Sequence, residues 1–591
     1  MCRIAGIYNP HSSDLRRDIL QMRDSMKRGG PDDAGEFVHD TIPLALGHRR
    51  LSILDLSKAG HQPMQTADAR FKIVFNGEVY NFKRIRKELE TFGYQFNTQT
   101  DTEVILYSYK HWGKACFEKF NGMFALAIWD EEEQEIVLAR DHAGIKPLYY
   151  YLHEGLFVFA SEIRAFQSLE YSWECETFWK SLVLIFGHLP EPFTTIKNVK
   201  SLPKGHWMSI QIPSLSSKLS CYYKDDYEVK IFDEETALEL TRDILSAAVK
   251  RHLISDAPLG LFLSGGVDSS LLTLLAAPLL QEQLQTLSIQ FEEAQFSEEQ
   301  YQRIIIDITE STHNAFTVTQ RSFDEALPDI LMAMDQPSTD AINTYFISKY
   351  AKQCNLKAVL SGVGADELFG GYPSFKRFNK WSQLNYLPTF VSRQLAKIKK
   401  PMFSKLSYKE LHPMLSLYLM NRGLYTVKEA ASLTDTSENE ILNALNEIDL
   451  PTNINYKSPN AVAAMEMHLY MKNQLLRDAD YMSMWHGVEI RVPFLDKELV
   501  QTVSSISPEI KFKSAVSKSL LIESFATILP AEIWNRKKQG FTFPFEHWLK
   551  NSEQLMPSGT SEQHVYNDFI NGKVHWSRYW SLKVAGLPKF S

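Results

Sequence analysis
A cysteine directly behind the initiator methionine can do chemistry that no internal cysteine can. With Met1 removed, Cys2 carries both a thiol and a free α-amino group. That amine, with a pKa near ~8, can accept the thiol proton and activate the nucleophile without a separate histidine. Taken alone, a cysteine here is more often an ordinary small residue than a nucleophile, so its companions decide. Attack on a glutamine amide builds an oxyanion, which needs fixed donors. Asn76-Gly77-Glu78 follows the apolar run Phe71 to Phe75 and offers a side-chain amide and a glycine N–H. A free amino-acid substrate also needs its two charged ends held. Arg50, in Gly47-His48-Arg49-Arg50-Leu51-Ser52, suits the α-carboxylate through a bidentate grip. Asp101, in Thr100-Asp101-Thr102-Glu103, suits the α-ammonium.

A second group of residues suits a phosphate chain. Ser264-Gly265-Gly266-Val267-Asp268-Ser269-Ser270 lies between an apolar strand and a long apolar helix. Glycines let backbone N–H groups approach an anion, and the helix N-terminus adds favourable potential. The Gly-Lys-Ser/Thr ending of a Walker A loop is absent. An aspartate at a phosphate site needs a reason, and a bridging Mg²⁺ supplies one for Asp268. The alternative is a plain glycine turn capped by serine and aspartate. Val359 to Tyr372 repeats the design, with Ser361-Gly362 in the glycine loop and Asp366 as the acid. Asp268 and Asp366, on neighbouring strand ends, could share Mg²⁺ over a triphosphate, at the carboxyl ends of parallel strands where such ligands sit.

These residues need frames to hold them. Strand composition marks Phe71 to Tyr80, Met123 to Trp129, Glu135 to Leu138, Leu156 to Phe159 and His206 to Ile212. Asp14 to Arg28 reads as a helix stopped by Gly29-Gly30-Pro31. The polar stretch from Pro213 to Asp233 reads as a linker. Beyond it the rhythm is helix Glu234 to His252, strand Leu259 to Leu263, helix, strand Thr286 to Phe291, and strand Ala358 to Leu360. That alternation predicts a parallel sheet covered by helices. Ser297-Glu298-Glu299-Gln300 has the pattern of a capping box opening the next helix. Residues 375 to 460 read as helical without assignable chemistry.

Composition sets the outer bounds. The chain has 591 residues, 44% hydrophobic and 23% charged, which allows several domains with large cores. A formal net charge of −8 gives no electrostatic case for nucleic acid. Five scattered cysteines, without disulfide or zinc spacing, point to a reducing, cytoplasmic setting. No signal-peptide pattern opens the chain. The most apolar run, Leu271 to Leu280, falls well short of the ~20 residues a membrane span needs.

Residues 1 to about 212 resemble a class II glutamine amidotransferase domain, of the N-terminal-nucleophile hydrolases. The resemblance rests on Cys2-Arg3-Ile4-Ala5-Gly6, Gly30-Pro31-Asp32, Arg50-Leu51-Ser52, Asn76-Gly77-Glu78, Arg140-Asp141-His142 and Gly144 to Tyr149. It implies an α+β sandwich of αββα type. It implies Cys2 as nucleophile, Asn76 and Gly77 as oxyanion donors, and Arg50, Glu78 and Asp101 as glutamine-binding groups. Many relatives have Arg-Gly-Pro-Asp where this chain has Gly29-Gly30-Pro31-Asp32.

Residues 234–591 resemble the synthetase domain of glutamine-hydrolysing asparagine synthetases, an adenine-nucleotide α-hydrolase-like α/β fold. The matching stretches are the two glycine loops, Leu476-Arg477-Asp478, Ser483-Met484, Glu489 to Asp496 and Arg536 to Phe541. By resemblance, Ser264, Gly265, Gly266, Asp268 and Ser269 hold pyrophosphate. Leu263, Ile289, Ser361 and Gly362 lie against adenosine, Asp268 and Asp366 take Mg²⁺, and Lys538 stabilises charge during the reaction. The resemblance implies ATP and glutamine as substrates. Ammonia released at Cys2 would cross an internal passage and attack an acyl-adenylate of aspartate, giving asparagine, AMP and pyrophosphate. Many asparagine synthetases carry an acid where this chain has Val363. Amidation of a different carboxylate, such as a sugar uronic acid or a peptide or metabolite acid, therefore stays open. So does a non-catalytic scaffold, though the site residues are present. A homodimer is left open.

Overall fold
The computed structural model describes residues 2–293, 297–384, 388–396, 401–451, 454–513, 516–536 and 543–590. Its N-terminal part is built from β1 (Cys2–Tyr8), β2 (Asp33–Val38), β3 (Leu44–Arg50), β4 (Met64–Gln65), β5 (Phe71–Val79) and β6 (Gly122–Asp130). β7 (Glu135–Arg140), β8 (Tyr149–His153), β9 (Leu156–Ala160), β10 (Lys200–Ser201), β11 (His206–Gln211) and β12 (Ser217–Cys221) follow. They form two six-stranded sheets, ordered β10-β8-β9-β1-β3-β2 and β12-β11-β7-β6-β5-β4.

Side-chain alternation stacks these sheets into an αββα sandwich. On β1, Ile4 and Tyr8 join Val74, Ala127 and Leu138 of the other sheet in one core. The opposite residues, Ala5 and Ile7, pack with Ile19 and Met22 of the helix Leu15–Ser25. On β5, Ile73 and Phe75 point the other way, onto Ile85 and Val104 of the covering helices. A period of two along each strand thus gives every sheet one face for its partner sheet and one for helices. Cys2 and Asn76 share parity with Ile4 and Val74, which aims both into the space between the sheets.

The second part holds a parallel sheet of β13 (Leu259–Phe262), β14 (Gln285–Phe291), β15 (Thr312–Val318), β16 (Ala358–Leu360) and β17 (Glu489–Arg491). Its order is β15-β14-β13-β16-β17, with every neighbouring pair parallel. The chain winds outward from β13 in both directions, so β13 and β16 flank the switch point where α/β sheets bind ligands. The 375–460 region forms the helices Pro373–Leu384, Thr389–Ala396, Pro413–Arg422, Val427–Thr434 and Glu438–Asn446. Glu466–Leu475 is wound as a π-helix between two α-helical stretches.

Three local readings change. The stretch read as linker carries β12, an edge strand paired with β11 from His206–Cys221 to Ile210–Ser217. Its serines and lysine gave no apolar alternation to read. The capping box does not form: the helix Glu299–Thr309 has no side-chain cap, and Ser297 Oγ accepts from Glu299 N only at 3.5 Å. Glu298 is instead drawn to Arg536, at 2.8 Å. Finally β1 and β3 are strands that Arg3, Gly6 and Gly47 hid from a composition reading.

The two parts share a buried boundary. Asn121 Nδ2 donates to Asp496 at 3.2 Å, and the His142 ring meets the Leu495 carbonyl at 2.9 Å. Arg3 and Lys146 both reach Asp480, at 2.8 and 3.3 Å. No described helix is long and apolar enough to cross a membrane.

Candidate active sites
β1 and β3 run antiparallel with Cys2 opposite Arg50. The nucleophile candidate and the carboxylate-gripping candidate are therefore cross-strand neighbours. Cys2 is 8% exposed, and burial pushes its thiol up, while the Leu51 N–H and the Arg50 charge pull it down. Cys2 N donates to Asn76 Oδ1 at 3.1 Å across the sandwich. That bond fixes the amide, and Asn76 Nδ2 is left buried without a hydrogen-bond partner among the described residues. A donor in this state is costly unless an acceptor arrives, and an oxyanion formed beside Cys2 is such an acceptor. Gly77 follows on β5, where an added Cβ would meet the Met123 carbonyl oxygen at 2.1 Å. Only glycine allows β6 this close.

The charged groups close in around the nucleophile. Arg50 donates to the carbonyls of Ser57 at 2.7 Å, Leu54 at 3.2 Å and Asp55 at 2.5 Å. Gly60 packs so tightly that a Cβ would lie 2.0 Å from Arg50 Nη2. Asp101 opens the helix Asp101–Trp112, capped by the Thr100 side chain. Its Oδ2 accepts from Val79 N at 2.8 Å, and burial raises its carboxyl to about 6. Glu78 is also buried, and burial pushes its carboxyl well up. Arg491 on β17 stands 3.4 Å from Glu78 and pairs with Glu489 at 2.5 Å. A wall of the candidate glutamine site thus comes from the other half of the chain. The Gly29 departure also has a cause in packing: a Cβ there would meet Arg3 Nε at 2.8 Å.

The second site is a cavity of about 700 Å³ at the switch point of the parallel sheet. Leu263, Ser264, Asp268 and Ser269 line it from the loop after β13. Ile289 lines it from β14, and Ser361, Gly362 and Asp366 from the loop after β16. Gly265 has φ +82, and Gly266 precedes the helix Val267–Leu280. Ser269 Oγ accepts from Ser264 N at 3.1 Å, and Gly266 N donates to Ser264 Oγ at 3.3 Å, which tightens the loop. The two loops press together, since a Cβ on Gly362 would meet the Asp268 side chain at 2.8 Å.

One residue of this site escaped the sequence reading. Lys518, buried and at φ +63, puts its ammonium between the two aspartates, 2.5 Å from Asp268 and 2.6 Å from Asp366. Gly371 makes room for it, because a Cβ there would meet Asp366 Oδ1 at 1.6 Å. A lysine in a polar stretch carries no sequence signal for this role; its left-handed backbone is visible only in three dimensions. Two carboxylates that share one cation are hard oxygen donors of the kind Mg²⁺ takes. Among the described residues no cluster of three or more acids, histidines or cysteines offers a self-contained metal cage. Arg536 donates to the Gly265 carbonyl at 2.9 Å, whereas Lys538 lies outside the described residues.

The cavity is also lined by Val363 and, one turn on, Glu367. Glu367 is buried, and burial with the neighbouring Asp366 raises its carboxyl to about 7. Tyr372 donates to it at 2.8 Å. Asp478 also lines the cavity, raised to about 8 by burial, and accepts from Ser338 Oγ at 2.5 Å.

Comparison with known proteins agrees with this division. Residues 1–223 match the family model for the glutamine amidotransferase domain, and residues 240–566 match that for asparagine synthase. The asparagine synthetase [glutamine-hydrolyzing] 1 of Bacillus subtilis (strain 168) is 32% identical, over 96% of this chain and 92% of its own. A putative asparagine synthetase [glutamine-hydrolyzing] of Mycobacterium tuberculosis (strain ATCC 25618 / H37Rv) is 31% identical, over 93% of this chain and 88% of its own. Amidase chry2 of Gibberella zeae is 25% identical, over 92% of this chain and 87% of its own.

An N-terminal-nucleophile sandwich joined to a nucleotide-binding parallel sheet defines a glutamine-dependent amidotransferase of the ligase class. Within that class, the chain belongs to the asparagine synthase family.

Proposed function
We propose that this protein converts a carboxylic acid into its amide, with ATP to activate the acid and glutamine to supply the nitrogen. With Met1 removed, the Cys2 amine takes the thiol proton, and the thiolate attacks the glutamine amide carbon. Asn76 Nδ2 and the Gly77 N–H receive the oxyanion. The Cys2 ammonium returns its proton to the amide nitrogen, and collapse expels ammonia and leaves a glutamyl thioester, which water hydrolyses to glutamate. In the second cavity a carboxylate oxygen attacks the α-phosphate of ATP, and pyrophosphate leaves. Ammonia then attacks the acyl carbon, loses a proton, and AMP departs. The Ser264–Ser269 loop holds the phosphates, and Lys518 balances the charge of Asp268 and Asp366 beside them. Mg²⁺ held by Asp268 and Asp366 would supply neutralisation of the triphosphate charge.

One observation carries this reading. Leu51, whose N–H faces the Cys2 thiol, and Ile53 belong to the same apolar cluster as Met123, Ile145, Ala479 and Ile490. The last two line the nucleotide cavity. An apolar interior between the sites suits passage of neutral ammonia, which bulk water would protonate.

Aspartate is the first acceptor of this reading, with asparagine as product. A different carboxylate is the second, and Val363 favours it: valine cannot exchange a proton with the attacking ammonia. A screen for pyrophosphate release with ATP, Mg²⁺, glutamine and candidate acids tests both. Aspartate-dependent release with asparagine formed supports the first. Silence with aspartate beside release with another acid selects the second, and silence with every acid sinks amidation.

A further inference from the structure
A second cavity of about 530 Å³ adjoins the nucleotide cavity, and the mechanism above gives it no part. Asp340 and Tyr470 stand in the walls of both. Tyr470 Oη donates to Asp340 Oδ2 at 2.9 Å, so the cavities meet at a hydrogen-bonded pair. Tyr470 belongs to the π-helical stretch, a local widening that recurs at functional sites.

Charge distinguishes this space. Arg422 lines it but is engaged, 2.7 Å from Glu466 and stacked 3.6 Å from the Tyr470 ring. Arg578 pairs with Glu429 at 2.9 Å and lies 4.0 Å from the Tyr425 ring. Lys405 is different. It lines the cavity half-buried, and no carboxylate pairs with it among the described residues. Burial, then the charges of Arg578 and Arg377, bring its ammonium down to about 8 against the weaker opposing pull of Glu429, which is itself paired with Arg578. A partly buried cation beside a guanidinium, with no carboxylate in direct contact among the described residues, is costly until an anion arrives. The remaining wall mixes rings, such as Tyr418 and Trp576, with polar groups, such as Asn421 and Ser577. A volume of this size holds a small-ligand moiety rather than a lone ion.

We propose that this cavity is an acceptor subsite. It holds a second anionic group on the far end of the acid activated in the nucleotide cavity, with Lys405 as its counter-ion. The acceptor is then an elongated molecule with at least two acidic groups, which reaches past Asp340 and Tyr470. This rests on the amidation reading and narrows its substrate. An acidic peptide and an acidic sugar chain share the required chemistry.

The test uses full-length enzyme with two probes, glutamyl-glutamate and digalacturonate. Binding is followed by calorimetry, and pyrophosphate release is followed with ATP, Mg²⁺ and ammonium chloride. At least one probe is expected to bind and to exceed aspartate about tenfold in kcat/KM. Lys405→Met should raise the Kd and KM of that probe ~10–100-fold, the range of a lost charge-assisted contact, with kcat and the KM for ATP held. Lys405→Arg should restore much of the loss. The probe that binds tells peptide from sugar. Binding of neither probe, or equal binding by Lys405→Met, overturns the subsite. Lys405-dependent binding without pyrophosphate release upholds the subsite and fails the amidation reading instead.

Discussion

The Lys518 ammonium lies 2.6 Å from the Asp366 carboxylate, and the same nitrogen reaches Asp268 at 2.5 Å. Without it, two carboxylates would face each other across the phosphate site. Lys518→Met is expected to lower pyrophosphate release ~100-fold or more, with glutamine or with ammonium, while glutamine hydrolysis persists. Mg²⁺ should also raise the Tm of Lys518→Met more than that of wild type, because it would replace the missing cation. An equal Mg²⁺ effect on both proteins would remove the two aspartates from the metal site.

Asn76 Nδ2 is a buried donor without an acceptor among the described residues, its amide held by the bond from Cys2 N to Asn76 Oδ1. Asn76→Ala should cost glutaminase kcat ~10²–10³-fold with a small change in the KM for glutamine. Synthesis from ammonium should be intact, as it should be in Cys2→Ala. A loss confined to KM would make Asn76 a binding group rather than an oxyanion donor.

Burial raises the Asp101 carboxyl to about 6. The glutamine α-ammonium needs that group ionised, so glutaminase kcat/KM should fall below pH 6, about tenfold per unit. Stability moves the other way. The folded pKa lies above the unfolded value near ~3.9, so between those values the native state binds more protons than the unfolded one. Stability from this group is therefore gained as pH falls from about 6 to about 4. Asp101→Asn should flatten both profiles, and an unchanged acid limb would assign it to another group.

Arg491 is buried, paired with Glu489 and Glu78, and donates to the carbonyls of His252 and Ile254 at 2.7 and 2.6 Å. Arg491→Leu strands two buried carboxylates and should destabilise the protein by ~3–5 kcal/mol. Glutaminase activity should fall with it, although the substitution lies outside the N-terminal sandwich. Denaturant unfolding with a parallel glutaminase assay checks this. A stable variant with full glutaminase activity would show that β17 is no part of the glutamine site.

Much of both sites was legible because local pattern carried it. Strand Phe71–Val79 announced itself by composition and brought Asn76 and Gly77 with it. The loop from Ser264 to Ser269 stood between a readable strand and a readable helix. What was not legible arrives from far along the chain. Lys518 meets Asp268 across 250 positions, from a segment whose lysines look like solvated surface. Arg491 was readable as part of a family stretch, but not as a neighbour of Glu78 in the candidate glutamine site. β12 lacked apolar alternation, and Glu298 preferred Arg536 to capping its helix.

The three residues of β17 answer to two masters. Alternation sends Glu489 and Arg491 toward Glu78, and Ile490 between them toward the nucleotide cavity. A slip of one residue would put a charge in the nucleotide pocket and an isoleucine beside the glutamine site. The pairing of Val359 with Ile490 on the neighbouring strand therefore sets the alignment of both active sites at once. Neither site can drift in register without the other, and a substitution tolerated by one chemistry must first pass inspection by the second.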